Sequence, residues 1–475
     1  MKTKKKLVVL SFAVILLFSI TITSFAALEH WNDNSSNKKI SFNWENWKAA
    51  WESVKNNYEY ISLTPGATEN NLNFAWYSQK PNQAIVRISN MKDMNKAIIY
   101  SGTSQKYKQL KGVTYYSNKV TVTNLNSKTL YFYQYYLDGK WTKTMKYKTQ
   151  DTKEFSFLYV GDAQIGASVG QIASGSKKAQ SAEHAARNDA YSWNTTLETA
   201  LDANSDLSFI VSAGDQINEK VKDKSQKEDL EQEIEYSGFL SSNVLTSLPI
   251  ATVIGNHDSN TANYKNHFNN PNSFTEETTP TTAGNGYYFT YGNVLFIMLN
   301  TNNYNFADHE ALLKKATNAN PDIKWKIVTM HHDIYGSGAG HSASDGTKLR
   351  KQLTKLMDKY DIDVVLQGHD HTYSRSYQLM SDKTEKSGYK IVSVQKDAAN
   401  NIVTNPKGVL YMEANSSTGS KFYNLIPTKQ KYIASRSQTW SPCYSVISVT
   451  KASLTISTYN VSTGKKIDVP YTIKK

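Results

Sequence analysis

Val364-Val365-Leu366-Gln367-Gly368-His369-Asp370-His371 is an apolar run that stops at a glycine and delivers two histidines one residue apart. In an extended segment alternate side chains share a face, so His369 and His371 point the same way. Four other apolar runs also end in polar residues, all but the His331-His332 pair after a glycine. Phe155 to Val160 runs into Gly161-Asp162-Ala163, and 207–213 runs into Gly214-Asp215-Gln216. Residues 251–254 run into Gly255-Asn256-His257-Asp258, and 326–330 into His331-His332. Each apolar run reads as a buried parallel strand. Polar side chains then converge where strands end, on one sheet edge, the usual position for a site in an open α/β sheet.

From Glu154 onward the pattern is strand, loop, helix, with helical periodicity over 182–201, 227–245, 309–318 and 347–359. That alternation is α/β architecture. The runs 409–412, 443–449 and 453–459 are expected to close a second sheet of the same domain. Residues 154–475 therefore read as one α/β (α+β) unit, a sandwich of two β-sheets flanked by helices. Upstream, 58–150 changes to short alternating strands such as 73–77, 84–88, 119–122 and 129–135, with turn signals at Pro81-Asn82 and Asp138-Gly139. This spacing indicates a small all-β sandwich domain. Residues 27–57 read as a helical extension in which Trp44, Trp47, Trp51 and Val54 recur on one packing face. The Thr- and Asn-rich run 269–285 reads as an exposed loop.

The 475 residues are 39% hydrophobic and 20% charged with mean hydropathy −0.54, a composition that supports a globular fold of two domains. Lys2, Lys4, Lys5 and Lys6 precede an apolar run over 7–25, and Ser24-Phe25-Ala26 offers small residues where a signal peptidase reads. Residues 1–26 thus read as a cleaved secretory signal peptide. An uncleaved anchor stays open, since about 20 apolar residues span a bilayer. No later segment is long and apolar enough to be transmembrane. The single cysteine, Cys443, excludes an intramolecular disulfide even in an exported chain. The formal charge of +13 fits plain solubility, and equally attraction to phosphate-bearing substrates or association with an anionic cell wall. The lysines are dispersed, with no compact basic stripe to mark a nucleic-acid partner.

Singly, each strand-end residue has an ordinary explanation: an Asp after a strand is commonly a cap or turn residue. Collectively, carboxylate, amide and imidazole donors are the mixture that two neighbouring metal ions require, with one carboxylate able to bridge. The order Asp, Gly-Asp, Gly-Asn-His, His, Gly-His-x-His, carried by Asp162, Asp215, Asn256, His331, His369 and His371, resembles that of calcineurin-like metallophosphoesterases. With the upstream sandwich, which is fibronectin type III-like in the family, the chain resembles the purple acid phosphatases from about Tyr60 to the C-terminus.

The resemblance implies that Asp162, Asp215 and His371 hold a first metal and that Asp215, Asn256, His331 and His369 hold a second, with Asp215 bridging. It implies that His257 and His341 contact the phosphate or protonate the leaving group. The family pattern Val-x-x-His, here Val328-Thr329-Met330-His331, selects His331 over His332. Three residues after Asp215 the family has tyrosine; this chain has Asn218, a candidate amide-oxygen ligand that removes the phenolate behind the purple iron(III) colour. Gln164 stands where the family has glycine and many relatives a ligating histidine; it reads as a loop residue, with substitute ligation as the alternative. Arg375 reads as a salt-bridge partner supporting the histidine loop, and Tyr373 as packing.

The implied activity is acid phosphatase-like: two ions, Fe, Zn or Mn, activate a water that attacks a small phosphate monoester in line, outside the cytoplasm. Two other readings compete. One is a phosphodiesterase or nucleotide phosphohydrolase of the same fold, with a cleft between the loops 167–178 and 269–285. The other is a non-catalytic secreted wall-binding protein whose sandwich is the working part; otherwise the sandwich reads as structural.

Overall fold

A computed structural model describes residues 38–170, 178–221, 226–385, 387–393 and 401–475. The expected signal, 1–26, and most of the loop 167–178 lie outside the described residues. No helix among the described residues is long and apolar enough to cross a membrane.

The apolar runs fold as strands, and they divide between two seven-stranded sheets. The first is ordered Ile250–Thr252, Leu207–Ser212, Phe155–Val160, Cys443–Val449, Ser453–Asn460, Tyr471–Lys474, Ile402–Thr404. The second is ordered Tyr287–Tyr291, Val294–Leu299, Trp325–Met330, Val364–Gln367, Leu410–Glu413, Tyr373–Ser376, Ile433–Ser437. This corrects the expectation of one sheet edge: the site lies where strand ends from two sheets meet. It also moves Cys443–Val449 into the first sheet, antiparallel to Phe155–Val160, while Leu410–Glu413 joins the second. Strands buried on both faces carry no polar alternation that would assign them to a sheet.

Side chains of Phe155–Val160 alternate between two cores, as the two-residue strand period requires. Phe157 and Tyr159 face the second sheet with Phe209, Phe296 and Leu366, whereas Leu158 and Val160 meet Trp193 and Phe239 of the helices Ala182–Ala203 and Gln226–Leu240. Phe157 stacks on Phe209 at 5.3 Å between centroids and meets Phe296 edge-on at 5.2 Å. Each such buried aromatic contributes about 1.5–3 kcal/mol. Helices Phe306–Ala319 and Asp345–Lys359 cover the far face of the second sheet through Leu312, Leu313, Leu349 and Leu353. The result is four layers, helices outside two facing sheets. Tyr159 pins the sheets together beside Gly368 by donating its hydroxyl to the carbonyls of Gln367 and Met412.

Helix Lys38–Val54 uses its tryptophans for packing, as its periodicity predicts: Trp51 and Val54 are buried in the helical layer, and Trp44 lies edge-on to Tyr191 at 4.9 Å. The upstream strands form a four-stranded and a five-stranded sheet around Phe74, Trp76, Val86, Val120 and Tyr133. This sandwich is tied to the larger α/β unit by Lys108, which pairs with Glu233 at 2.8 Å and Asp229 at 2.7 Å, and by Tyr77 stacked on His267. The run 269–285 is a loop less exposed than its composition suggests, because Phe274 and Ala283 are buried and Glu277 accepts the Gly286 N–H at 2.7 Å. Cys443 is a buried free thiol.

Candidate metal centre

The backbone bends sharply to deliver the donors. Asp162, Asp215, His369 and His371 have φ of 50°, 49°, 84° and 46°. Left-handed conformations cost non-glycine residues about 1–2 kcal/mol each, and such strain gathers where a side chain must be held for function. The preceding glycines allow the segments to press together. A Cβ on Gly368 would lie 2.5 Å from Asp162 Oδ2, and one on Gly255 would collide with the Asp215 amide and carboxylate.

Asp215, His331 and His369 place ligand atoms within 4.8 Å of one another, all buried. His331 Nε2 is 3.4 Å from Asp215 Oδ1. The Asn256 oxygen sits among them, 2.9 Å from His331 Nε2, 3.2 Å from His369 Nδ1 and 3.3 Å from Asp215 Oδ2. Burial opposes charging His331, but the Asp215 carboxylate outweighs it and raises the imidazole to about 9. Apart from that exchangeable proton, every neighbour of the amide oxygen presents a lone pair, while the amide nitrogen faces the Lys220 ammonium. Turned through 180°, the amide would gain hydrogen bonds on both sides. Oxygen-inward, it makes chemical sense around a cation, and a carboxylate, an amide oxygen and two imidazoles suit a borderline divalent metal.

The rings are oriented by their outer nitrogens, the usual arrangement around a metal. His331 Nδ1 donates to the Ala213 carbonyl at 2.9 Å and His371 Nδ1 to the Lys421 carbonyl at 2.8 Å, so each aims Nε2 inward. His371 Nε2 lies 3.4 Å from Asp162 Oδ1. His369 is held the opposite way: Nε2 meets Asp345 Oδ2 at 3.2 Å, which leaves Nδ1 facing Asn256. Burial pushes His369 and His371 well below the ordinary histidine value, so both are neutral. Of the two carboxylates, Asp162 is pushed up by burial, while the surrounding histidines hold Asp215 down in spite of burial.

Asp345 Oδ2 also lies 3.3 Å from His341 Nδ1, and the His341 ring sits 3.8 Å from that of His369. Burial pulls Asp345 upward, but hydrogen bonds from His341 and His369 hold it well below the usual carboxylate range. His257 lies across the site: Nδ1 donates to the Asn218 carbonyl, Nε2 accepts from Gln164 Nε2 at 2.9 Å, and the backbone N–H donates to Asp215 Oδ1 at 2.9 Å. Burial lowers it to about 4 against the pull of Asp215. His257 is therefore neutral, with no proton on its Nε2.

Asn218 is brought to the rim rather than into the donor set. Its amide oxygen accepts from Gln164 Nε2 at 3.4 Å, and among the described residues no side-chain hydrogen bond joins it to Asp162, Asp215 or His371. Gln164 does belong to a loop, but a fully buried one at φ 35°, with Oε1 unpaired among the described residues. His332 Nδ1 is turned to Thr301 Oγ1 at 2.8 Å. Arg375 pairs with Asp468 at 2.8 Å, and the buried Tyr373 donates to the same carboxylate, so both support the histidine loop.

Three residues that the motifs do not mark shape the site. Asp345, four residues after His341, is signalled only by that helical spacing. Asp370, between the two histidines, accepts the N–H groups of His341 and Ser342, both at 2.7 Å, and so positions the His341 loop. Lys421 has no sequence signal.

Donors of this kind on facing sheets define a metallophosphoesterase fold, and comparison with known proteins agrees. Residues 155–373 match the calcineurin-like phosphoesterase family, and residues 58–149 match the purple acid phosphatase N-terminal domain. The chain therefore carries a calcineurin-like phosphoesterase domain preceded by a purple acid phosphatase N-terminal domain. An uncharacterised protein of Mycobacterium tuberculosis is 27% identical over 154 residues, 28% of this chain and 28% of that protein. Purple acid phosphatase 21 of Arabidopsis thaliana is 31% identical over 70 residues, 15% of this chain and 16% of its own. A second Arabidopsis relative, 33% identical over 97 residues, 19% of this chain and 15% of its own, is named a probable inactive purple acid phosphatase. The chain thus spans less than a third of each of these relatives. In fold it is similar to a purple acid phosphatase from yellow lupin (Lupinus luteus) seeds, at TM-score 0.60 and 16% identity over 87% of this chain and 74% of that one.

Proposed function

We propose that this chain hydrolyses phosphate monoesters at the metal centre after export from the cytoplasm. The observation that carries the reading is the convergence of buried Asp215, His331 and His369 ligand atoms within 4.8 Å of one another, with the Asn256 amide against them. Asp215, Asn256, His331 and His369 would hold one ion and Asp162, Asp215 and His371 the other. Bound ions would supply an activated water and neutralise charge on the phosphoryl oxygens.

The chain's own residues supply the proton handling. His341, its Nδ1 held by Asp345, is the more accessible of the two candidate catalytic histidines, with 31% side-chain exposure against 16% for His257. It would give a proton to the departing alcohol. His257, neutral and fixed by Asn218 and Gln164, steadies the Asp215 carboxylate through its backbone N–H. In this reading 1–26 is the export signal, 58–150 a supporting sandwich and 154–475 the catalytic unit. The basic charge would favour retention at an anionic wall.

The test uses the chain lacking 1–26, stripped of metal and reloaded with Fe, Zn or Mn. Turnover of one chromogenic monoester and its diester counterpart is compared with that of Asp215→Asn. Metal-dependent monoester turnover is expected, at least about 1000-fold lower in the variant. A diester preference would replace the proposed substrate, and a folded, metal-loaded chain without turnover would leave the non-catalytic reading standing.

A further inference from the structure

Lys421 is a cation with no role in the chemistry above. Its carbonyl accepts the His371 Nδ1 proton at 2.8 Å, so its backbone is fixed against the metal centre. Its ammonium lies 4.8 Å from the centroid of the Tyr423 ring, which stands edge-on to His341 at 5.7 Å and to His371 at 5.4 Å. That places the ammonium by the ring wedged between the candidate proton donor and a candidate ligand. Among the described residues Nζ makes no hydrogen bond and has no carboxylate within 4.0 Å; its close contact is the Tyr423 ring. Burial pushes its pKa down, while the charges of Asp215, Asp162 and Asp370 work the other way.

Other shielded lysines differ. Lys108 is paired with Asp229 and Glu233, and Lys475 with Asp363. A half-buried ammonium with no hydrogen-bonding partner in the protein is stabilised when an anion completes it. Asp162 and Asp215 would be engaged by ions, and Asp370 already accepts from His341 and Ser342, which leaves an arriving anion to complete Lys421.

Resting on the hydrolase reading, we propose that Lys421 is a substrate-binding residue: it clamps a nonbridging oxygen of the phosphoryl group and favours dianionic monoesters over monoanionic diesters. A monoester presents one more terminal oxygen and one more negative charge than a diester. Lysine reads that difference as a point charge making a charge-assisted hydrogen bond.

Lys421→Ala and Lys421→Arg test this in the Mn-loaded chain. The readouts are metal content, kcat/KM for a monoester and a diester sharing one leaving group, and Kd for inorganic phosphate by calorimetry. The alanine variant should lose about 10- to 100-fold in monoester kcat/KM and in phosphate affinity, and less than about threefold on the diester. Metal content should be unchanged, and arginine should recover most of the loss. Equal losses on both esters, lost metal, or unchanged phosphate affinity would overturn the assignment and leave Lys421 as a prop for Tyr423. Should the wild type turn over neither ester, the hydrolase reading fails on its own, and phosphate affinity still decides Lys421: weaker in alanine supports it, equal sinks it.

Discussion

The two halves of the metal centre are built to different standards. Around Asn256, the donors of Asp215, His331 and His369 already converge, and each imidazole is fixed by a partner on its outer nitrogen. Around Asp162, whose oxygens both accept the His369 N–H at 2.9–3.0 Å, His371 is the one imidazole among the described residues that approaches, at 3.4 Å, while Gln164 turns its amide nitrogen to Asn218 and His257. The first half is preorganised and the second is short of a ligand. Preorganisation lowers the cost of binding, so the halves should differ in affinity, with Asp215 coupling them.

The largest effect should come from removing one histidine at a time. His331→Ala is expected to weaken the tighter ion by at least about 100-fold, read by titration against a competing chelator. His371→Ala should keep that ion and lose the weaker one. Loss of the tighter ion in His371→Ala would show that the halves are not ranked as their geometry implies. Next in size is Asp345→Asn. Its carboxylate fixes His369 and His341 together, so the substitution should cost the Asn256 half about 10- to 100-fold in metal affinity. The same variant should lower kcat while leaving the His371 half unchanged. Unaltered affinity of the Asn256 half would mean that the His369 ring is positioned by packing alone.

The better-built half is also the one more fully legible from sequence. Asn256 and His369 follow an apolar run and a glycine, His331 follows its apolar run directly, and Phe155–Val160 folds with the bounds its pattern gives. Sheet membership was not legible, because Phe157 and Leu158 are both apolar although they face different cores. Nor could sequence say which ring nitrogen His369 turns inward: that depends on Asp345, brought in by the start of a helix. Lys421 and Asp370 act through tertiary contacts with His371 and the His341 loop, and no spacing in the chain encodes those contacts. In the weaker half, the pattern marks the missing tyrosine at 218, yet only the fold reveals that Gln164 is the more deeply buried neighbour.

The smallest change aims at that gap. Asn218 contributes one long side-chain hydrogen bond, at 3.4 Å, and its structural task of holding His257 falls to a backbone carbonyl that any substitution keeps. Asn218→Tyr should therefore fold normally and alter monoester turnover by no more than about threefold, within the range of changes that spare packing and charge. What it adds is a phenol beside the poorly furnished half. If that side chain reaches the ion, the iron-loaded variant should gain a visible charge-transfer absorption that the wild type lacks, and its weaker ion should resist chelation longer. A colourless iron-loaded variant with unchanged chelation would place residue 218 outside the coordination sphere. The unpaired Gln164 oxygen would then be the remaining neutral donor in that half, and the difference between the halves would come from the loop around Gln164 rather than from the lost tyrosine.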